Sequence, residues 1–261
     1  MNKLLVSGLV VALLTPAAVL AQSAIDGTWK IDENKAQMPK KPDVYVLQNG
    51  MYQCKTCVPP FSVKADGEDH KVSGNPYFDT AAEKIVDDRT VEETLKKDGK
   101  VYETDKVTLA PDGKTGTVEF TSNTSGAPVT GQVTIMRVAK GPAGSHATSG
   151  SWRTASIQSV SDSGLSRTYK TERDSLSMTD PAGDSYTAKM DGSDAPYKGD
   201  PGITSVSVKK MGANTIQETE KRDGKVINVT ETTVAPDGKT AKIVVHDKLH
   251  GTTISFVANK Q

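Results

Sequence analysis

The sequence predicts an all-β protein made of two tandem antiparallel domains that repeat one another. Residues 61–120 align without a gap to residues 186–245, and about 22 of roughly 60 positions are identical, far above chance for a self-comparison. Apolar side chains alternate along short segments, and Asp-Gly or Pro-Asp-Gly turns separate these segments. Each copy runs about 115–120 residues, which suits one small domain. Repeated β-sandwiches and one merged barrel are the alternative arrangements.

Four glycines mark the turns of this repeat. Gly99 and Gly113 in the first copy match Gly224 and Gly238 in the second at a constant offset of 125 residues. Glycine reaches the positive φ of a tight turn without steric cost, so we assign all four to turn geometry. The Gly-Lys-Thr runs at Gly113 and Gly238 lack the earlier glycine of a phosphate-binding loop, and no helix is predicted after them.

The first copy begins with a strand over residues 26–32, in which Trp29 is the large core residue. Residues 33–42 are polar and contain two prolines, so they are predicted as a loop or a short helix. An Asn-Gly pair then joins residues 43–49 and 51–55 into a hairpin, because this pair favours a type I′ turn.

The rest of the copy is predicted as short alternating strands, about eight in all. Val101, Val107 and Leu109 share one face, and Val226 and Val234 keep the same parity in the second copy. Matched parity supports the strands, because a shift of one residue would turn every apolar side chain outward. The further strands cover residues 61–64, 80–86, 90–95, 101–109, 116–122 and 131–138, with a turn-rich region at 65–74. No helical period of ten residues or more appears.

The ends of the copies define the predicted domains. Residues 141–149 are small, polar and rich in glycine, which is typical of a linker. The first domain is therefore predicted over residues 22–140 and the second over residues 150–261.

Residues 1–21 are predicted to be a cleavable signal peptide. Lys3 precedes an apolar run over residues 4–14, and the Val-Leu-Ala tripeptide before Gln22 provides a cleavage site. We expect a bacterial protein that is periplasmic or secreted, with no transmembrane segment in the mature chain. The chain has 32 basic and 32 acidic residues, and this balance gives no electrostatic case for nucleic acid as a partner.

The first strand of each copy carries a Gly-x-Trp motif. The two motifs are Gly27-Thr28-Trp29 and Gly150-Ser151-Trp152. Such a motif, followed by a meander of short strands, resembles the lipocalin and fatty-acid-binding (calycin) superfamily. In that superfamily an arginine of the last strand commonly packs across the first-strand tryptophan, and Arg137 stands in that place. The last strand of the second copy, aligned here as residues 251–258, has no arginine. The resemblance implies two tandem up-and-down barrels that can hold an apolar ligand, with Trp29, Trp152 and Arg137 as structural anchors.

Cys54 and Cys57 are the only cysteines of the chain, and the second copy has Thr179 and Ala182 at these offsets. In an exported protein a local disulfide is the favoured interpretation. Redox activity and metal binding are the alternatives. A thioredoxin-like centre would need a helix where two prolines follow, and two cysteines supply only half of a zinc site.

No other motif predicts catalysis, a cofactor or a metal centre. His246 and His250 have the spacing of ligands on a helix but lie in a predicted hairpin. Glu92 and Glu93 are neighbours on a strand, so they face opposite sides and cannot act on one substrate. We therefore expect a non-enzymatic binding protein for a small apolar ligand. The alternative is a structural or envelope-stress protein that binds other proteins and has no small-molecule site.

Overall fold

The computed structural model describes residues 23–261, and in this range it confirms the all-β prediction. Two ten-stranded antiparallel sheets form barrels, one closed and one nearly closed. The predicted signal peptide lies outside the described residues. One short helix, α1 (Asp162–Leu165), occurs in residues 23–261, and no helix there has the length and apolar character needed to cross a membrane.

The strands are numbered in chain order. The first repeat contains β1 (Gly27–Gln37), β2 (Asp43–Gln48), β3 (Met51–Cys54), β4 (Phe61–Lys64), β5 (His70–Lys71), β6 (Thr80–Asp87), β7 (Thr90–Lys97), β8 (Lys100–Leu109), β9 (Thr115–Ser122) and β10 (Val129–Lys140). The second contains β11 (Gly150–Val160), β12 (Ser166–Glu172), β13 (Ser175–Thr179), β14 (Ser185–Lys189), β15 (Asp191–Lys198), β16 (Ser205–Lys210), β17 (Thr215–Arg222), β18 (Lys225–Val234), β19 (Thr240–Asp247) and β20 (Thr252–Lys260).

Each repeat therefore has ten strands rather than about eight. The loop or short helix predicted over residues 33–42 is wrong in its first half, because β1 continues to Gln37. That extension is possible because β20 lies beside it and Gln37 pairs with Ser255. The predicted turn region 65–74 contains the two-residue strand β5.

Each barrel includes the first strand of the other repeat, and barrel one stays open between β4 and β5. Barrel one consists of β2–β10 together with β11, which pairs with β10 and β2. Barrel two consists of β12–β20 together with β1, which pairs with β20 and β12. Consecutive strands joined by a short loop tend to lie side by side, and β10 and β11 do so.

The sheets therefore do not follow the predicted division of the chain. Residues 141–149, predicted as a linker between domains, connect two neighbouring strands of barrel one. This segment is held in place by backbone hydrogen bonds, such as that from His146 N to Leu47 O. The ranges 22–140 and 150–261 describe the sequence repeat, whereas each barrel combines nine strands of one repeat with one strand of the other.

The register of the last strands corrects the alignment of the two repeat ends. Ile135 pairs with Gly116, and Ala258 occupies the equivalent place opposite Ala241. Arg137 is therefore equivalent to Lys260, and the alignment of residues 131–138 with 251–258 is wrong. The physical reason is the shorter loop between β19 and β20, residues 248–251, compared with residues 123–128 in the first repeat.

A β-bulge recurs at the same place in both repeats. The register shifts after Leu95 in barrel one and after Glu220 in barrel two. The shift turns Val101 outward, where it is 40% exposed, so its predicted inward face is wrong. Ile227 rather than Val226 is buried in barrel two for the same reason.

Two of the turns that carry the four glycines match the type I′ hairpin. Gly99, Gly113, Gly224 and Gly238 all have φ between 64° and 79°. Asp98 and Asp223 precede Gly99 and Gly224 and also have positive φ, as a type I′ turn requires at both central positions. These turns set the pairing of β7 with β8 and of β17 with β18.

The two barrels differ in how their interiors are filled. The main hydrophobic cluster of barrel two contains sixteen buried residues, including Trp29, Leu176, Met178 and Val206. The cluster in barrel one contains five, around Phe78 and Leu95. The smaller cluster leaves part of the interior of barrel one without apolar filling, and a cavity lies there.

Candidate functional site

A cavity of about 280 Å³ lies inside barrel one. Its apolar wall comes from strands β7 to β11 and consists of Val91, Val107, Val118, Val133, Ile135 and Trp152. Its polar wall consists of Asp43, Tyr45, Tyr52, Glu83, Glu93, Asp105, Thr148, Arg153 and Thr154. Ligand pockets have volumes of roughly 300–1,000 Å³, whereas one water needs about 30 Å³. The cavity therefore has the size for a small organic molecule.

Three carboxyl groups of the polar wall form a row across adjacent strands. Glu83 on β6 lies directly opposite Glu93 on β7, and Glu93 lies directly opposite Asp105 on β8. Alternate residues of a strand share a face, so Glu93 points inward with Val91, and Asp105 with Val107. Like charges directly opposite one another destabilise a sheet, so this row has a stability cost.

The row is buried and incompletely hydrogen-bonded. Glu83 is 1% exposed, and its Oε2 atom has no hydrogen-bond partner; the same holds for Oε1 of Glu93. Burial, reinforced by the neighbouring carboxyl groups, raises the pKa of Glu83 to about 9 and that of Asp105 to about 9. Burial and the nearby Glu103 raise the pKa of Glu93 to about 7. At neutral pH the protein alone therefore keeps much of the row protonated.

Aromatic rings stand beside these carboxyl groups. The rings of Tyr45 and Tyr52 are stacked, with centroids 6.3 Å apart and planes at 9°. Burial raises the pKa of both hydroxyls, so both tyrosines remain neutral. Trp152, on the exchanged strand β11, completes the aromatic part of the lining.

Trp152 also forms the closure of barrel one. It is 3% exposed, and the guanidinium carbon of Arg137 lies 4.0 Å from its ring centroid. Arg137 donates hydrogen bonds to the carbonyl oxygens of Gly113, Ser149 and Ala147, each at 2.6 Å. Arg137 was predicted to cover a first-strand tryptophan. It covers Trp152, the tryptophan of the other repeat, because the first strands are exchanged.

Barrel two has the same closure with a different cation. Nζ of Lys260 lies 5.3 Å from the ring centroid of Trp29. The two indoles are held alike: Nε1 of Trp29 donates to Ile25 O at 2.7 Å, and Nε1 of Trp152 donates to Thr148 O at 2.8 Å. Both tryptophans thus anchor the ends of their barrels.

The equivalent carboxyl row in barrel two is reduced to a single glutamate. Val208, Glu218 and Thr230 lie opposite one another where barrel one has Glu83, Glu93 and Asp105. Glu218 accepts hydrogen bonds from the hydroxyls of Tyr169, at 3.2 Å, and Tyr186, at 2.5 Å. Burial raises the pKa of Glu218, and the positive charge of Arg167 opposes that rise. This glutamate has partners that Glu93 lacks.

A second cavity of about 390 Å³ lies within barrel two, and its mouth faces barrel one. Trp29, Arg167 and Phe256 line it from barrel two, and Tyr102 and Val129 from barrel one. Its charged groups have partners: Arg167 lies 3.9 Å from Asp180, and the hydroxyl of Tyr197 donates to Asp184. We therefore regard the cavity inside barrel one, with its unpartnered carboxyl oxygens, as the stronger candidate for a ligand site.

Cys54 and Cys57 form a disulfide, as predicted. The loop that it closes holds Thr56, whose hydroxyl accepts from Val44 N at 3.0 Å and donates to Oδ1 of Asp43 at 3.3 Å. Asp43 lines the cavity, so the disulfide loop supports one of its carboxyl groups. Burial raises the pKa of Asp43.

The histidines do not form a metal site. Nδ1 of His250 lies 2.6 Å from Oδ2 of Asp247 within the turn after β19, and Nδ1 of His246 contacts the Thr253 hydroxyl. Among residues 23–261 no group of three His, Cys, Asp or Glu side chains is arranged to hold a metal ion.

The carboxyl row was not found by sequence reasoning, although a signal for it existed. Glu92 and Glu93 do face opposite sides: Glu92 lies 3.5 Å from Lys84 and 3.9 Å from Lys106, whereas Glu93 lines the cavity. The signal was that, on three successive strands, an acidic residue has the same parity as an inward-facing apolar residue: Glu83 with Ala81, Glu93 with Val91, and Asp105 with Val107. Their alignment depended on the strand register, which was not known.

No protein-family description matches this chain, and no curated protein matches it. The fold itself defines the class of the protein: it is an all-β protein with antiparallel barrel-shaped sheets, consistent with a calycin-like β-barrel.

Proposed function

We propose that this protein is an exported, non-enzymatic binding protein that holds a small organic ligand inside barrel one. The observation that carries the proposal is the cavity of about 280 Å³ inside barrel one, which is bounded by an apolar wall and by carboxyl groups with unpartnered oxygens. Export rests on the predicted signal peptide, residues 1–21. Membership of the calycin superfamily is part of the same proposal and rests on the Gly-x-Trp motifs and the barrel topology.

Side-chain size differs between the walls of the two barrels. The strand register makes Val133 of barrel one equivalent to Phe256 of barrel two, and Val118 equivalent to Ile243. At a third position barrel one has the larger side chain, because Ile135 is equivalent to Ala258 of barrel two. The larger ring at Phe256 and the missing carbons at Ala258 roughly offset one another, so the two walls differ in where their bulk lies rather than in its amount. The wall of barrel one therefore contains a place that a phenylalanine would fill.

Filling the cavity tests the proposal. The purified wild-type protein and a Val133→Phe variant would be exposed to a bacterial lipid extract under non-reducing conditions and examined by native mass spectrometry. We expect bound mass on the wild type and none on Val133→Phe. Val138→Phe is the matched control, because Val138 is on the same strand and 52% exposed. It should retain the ligand.

Absence of bound mass on the wild type, together with identical behaviour of Val133→Phe and Val138→Phe, would contradict the proposal. The structural or envelope-stress function, with other proteins as partners, would then be the better hypothesis. Thermal denaturation of all three proteins shows whether a lost ligand reflects a filled cavity or an unfolded barrel.

A further inference from the structure

The carboxyl oxygens that face the cavity lack the partners that buried carboxyl groups normally have. Native proteins satisfy nearly all buried polar atoms, so each exception requires an explanation. Oε2 of Glu83 and Oε1 of Glu93 are two such exceptions in one row, and Glu83 is 1% exposed. Both residues line a cavity large enough for an organic molecule. A ligand that donates to these oxygens would account for both.

Comparison of the repeats shows that a counter-ion has been replaced. Trp29 pairs with Arg167 in barrel two, and Trp152 pairs with Asp43 in barrel one, so Arg167 and Asp43 occupy equivalent positions. Arg167, whose positive charge offsets the buried Glu218 in barrel two, is thus replaced by a carboxyl group, that of Asp43, in barrel one. In the same comparison Val208 becomes Glu83, and Thr230 becomes Asp105.

The charged and titratable groups around the row are dominated by carboxyl groups. They are Asp43 and Tyr45 on β2, Tyr52 on β3, Glu83 on β6, Glu93 on β7, Glu103 and Asp105 on β8, and Arg153 on β11. Arg153 is the one basic group of this cavity lining. It also borders a groove with Glu33 and Met38 outside the barrel, and no ion pair joins it to the row within the described residues.

The aromatic part of the lining adds a second kind of attraction for a cation. The faces of tyrosine and tryptophan rings carry negative electrostatic potential, and aromatic groups that surround a site are used to bind quaternary ammonium ligands. Tyr45, Tyr52 and Trp152 line the same cavity as Glu83 and Glu93. The opposite wall of valines and Ile135 suits an apolar body.

We propose that the ligand of barrel one is an organic cation, an amine or quaternary ammonium group carried on an apolar body, which Glu83, Glu93 and Asp105 hold. This inference rests on the proposed function, since it names the chemical class of the ligand in the same cavity. The apolar body packs against Val91, Val118 and Val133, and the cationic group lies at the carboxyl row. The size of the cavity and its apolar wall favour such a molecule over a bare metal ion.

Protonation gives the inference a distinctive pH dependence. Because burial raises the pKa values of Glu83 and Asp105 to about 9 and that of Glu93 to about 7, a cation must expel protons from the row when it binds. Binding of a permanently charged cation therefore strengthens as pH rises from 6 to 9. Linkage sets the slope at about tenfold in affinity per pH unit for each proton released.

The test compares two probes of the same shape by isothermal titration calorimetry. Benzyltrimethylammonium is a permanent cation, and neopentylbenzene is its neutral carbon isostere. At pH 8 we expect the wild type to bind the cation at least about tenfold more tightly than the isostere. Glu83→Val and Asp43→Arg, which introduce the residues of barrel two, should each weaken cation binding at least about tenfold. Glu92→Gln is the matched control on the outer face and should leave it unchanged.

The outcomes separate the inference from the proposed function. Equal binding of both probes, or cation binding that weakens as pH rises, would overturn the cationic ligand while a ligand-binding cavity remained. Competition by CaCl2 for the cation at the row would overturn it in favour of a metal ion. If neither probe binds and Val133→Phe changes nothing in the lipid-extract experiment, the proposed function and the inference both fail. The pH series on the wild type needs no variant, so a poorly folded variant does not prevent a decision.

Discussion

Barrel one and barrel two have equivalent strand orders, but barrel one is open between β4 and β5, and the polar groups of the two interiors differ. Each barrel receives its last strand from the other repeat, and in each a cation lies over the tryptophan of that strand. Barrel two has a large apolar cluster and one hydrogen-bonded glutamate, Glu218, beside its cavity. Barrel one has a small apolar cluster and a row of three carboxyl groups beside its cavity.

The difference shows which positions of the repeat were free to change. Turn residues and the alternation of apolar side chains determine the barrels, and the two repeats share them. Inward-facing residues in the middle of strands affect stability but not topology, so Val208 and Glu83 can occupy equivalent positions. The buried carboxyl row lowers the stability of barrel one, and barrel two lacks it. Because polar groups without partners are rare in protein cores, this difference indicates that the row of barrel one has a function.

The largest expected effect concerns the exchanged tryptophans. Trp152→Ala and Trp29→Ala should each lower the free energy of unfolding by about 3–5 kcal/mol, because each removes a buried indole. Hydrogen exchange should show the loss of protection for Trp152→Ala in β2–β10 and for Trp29→Ala in β12–β20. Loss of protection confined to the repeat that contains the mutated tryptophan would contradict the strand exchange.

The next effect is the pH dependence of stability that the carboxyl row confers. The pKa of Glu83 is about 9 in the folded protein and near 4.3 in an unfolded chain, so the folded state binds more protons between these values. The free energy of unfolding should therefore be highest near pH 5 and fall as pH rises toward 9. Glu83→Val should reduce this slope and raise stability at pH 8 by about 1–3 kcal/mol. Thermal denaturation across this pH range measures both.

Glu92→Gln serves as the control for that experiment. It removes the same charge one residue away from Glu93 but on the outer face, beside Lys84 and Lys106. Its pH profile should follow that of the wild type. A wild-type stability that rises between pH 5 and pH 9 would show that the row is not protonated in the folded protein.

Reduction of the disulfide should have a smaller and local effect. The ring between Cys54 and Cys57 is short, so its loop entropy contributes at most about 2 kcal/mol. Reduction should increase hydrogen exchange around Thr56 and Asp43 and leave barrel two unchanged. Denaturation with and without a phosphine reductant gives the energy, and exchange in β12–β20 is the internal control. Equal loosening of both barrels would contradict a local role.

The smallest effect comes from exchanging the two closing cations. Lys260→Arg should stabilise barrel two by up to about 1 kcal/mol, because a guanidinium over Trp29 adds stacking to the attraction of the charge. Chemical denaturation measures the change. The reverse variant, Arg137→Lys, should destabilise barrel one, since it removes the hydrogen bonds to Gly113 O and Ala147 O. A stabilising Arg137→Lys would show that the two closures are not equivalent.

The sequence by itself determined the local features of the protein. Alternation with a period of two predicted the strands, and Asp-Gly and Asn-Gly pairs predicted hairpins whose residues Asn49, Asp98 and Asp223 have positive φ. The repeat and the disulfide could also be predicted, because they depend on matching segments and on two cysteines three residues apart. Each of these features is governed by interactions between residues that are close in the chain.

Only the tertiary structure decided which strands are neighbours. β1 pairs with β20 across more than 200 residues, and no local pattern distinguishes that partner from β10. The pairing of β10 with β11 placed Arg137 over Trp152 rather than Trp29. Glu83, Glu93 and Asp105 form one row through the consecutive hairpins β6–β7 and β7–β8, but the exact register of these strands had to be known before their side chains could be placed together. The non-local pairing of β11 with β2 added Trp152 to the wall opposite that row and so completed the candidate site.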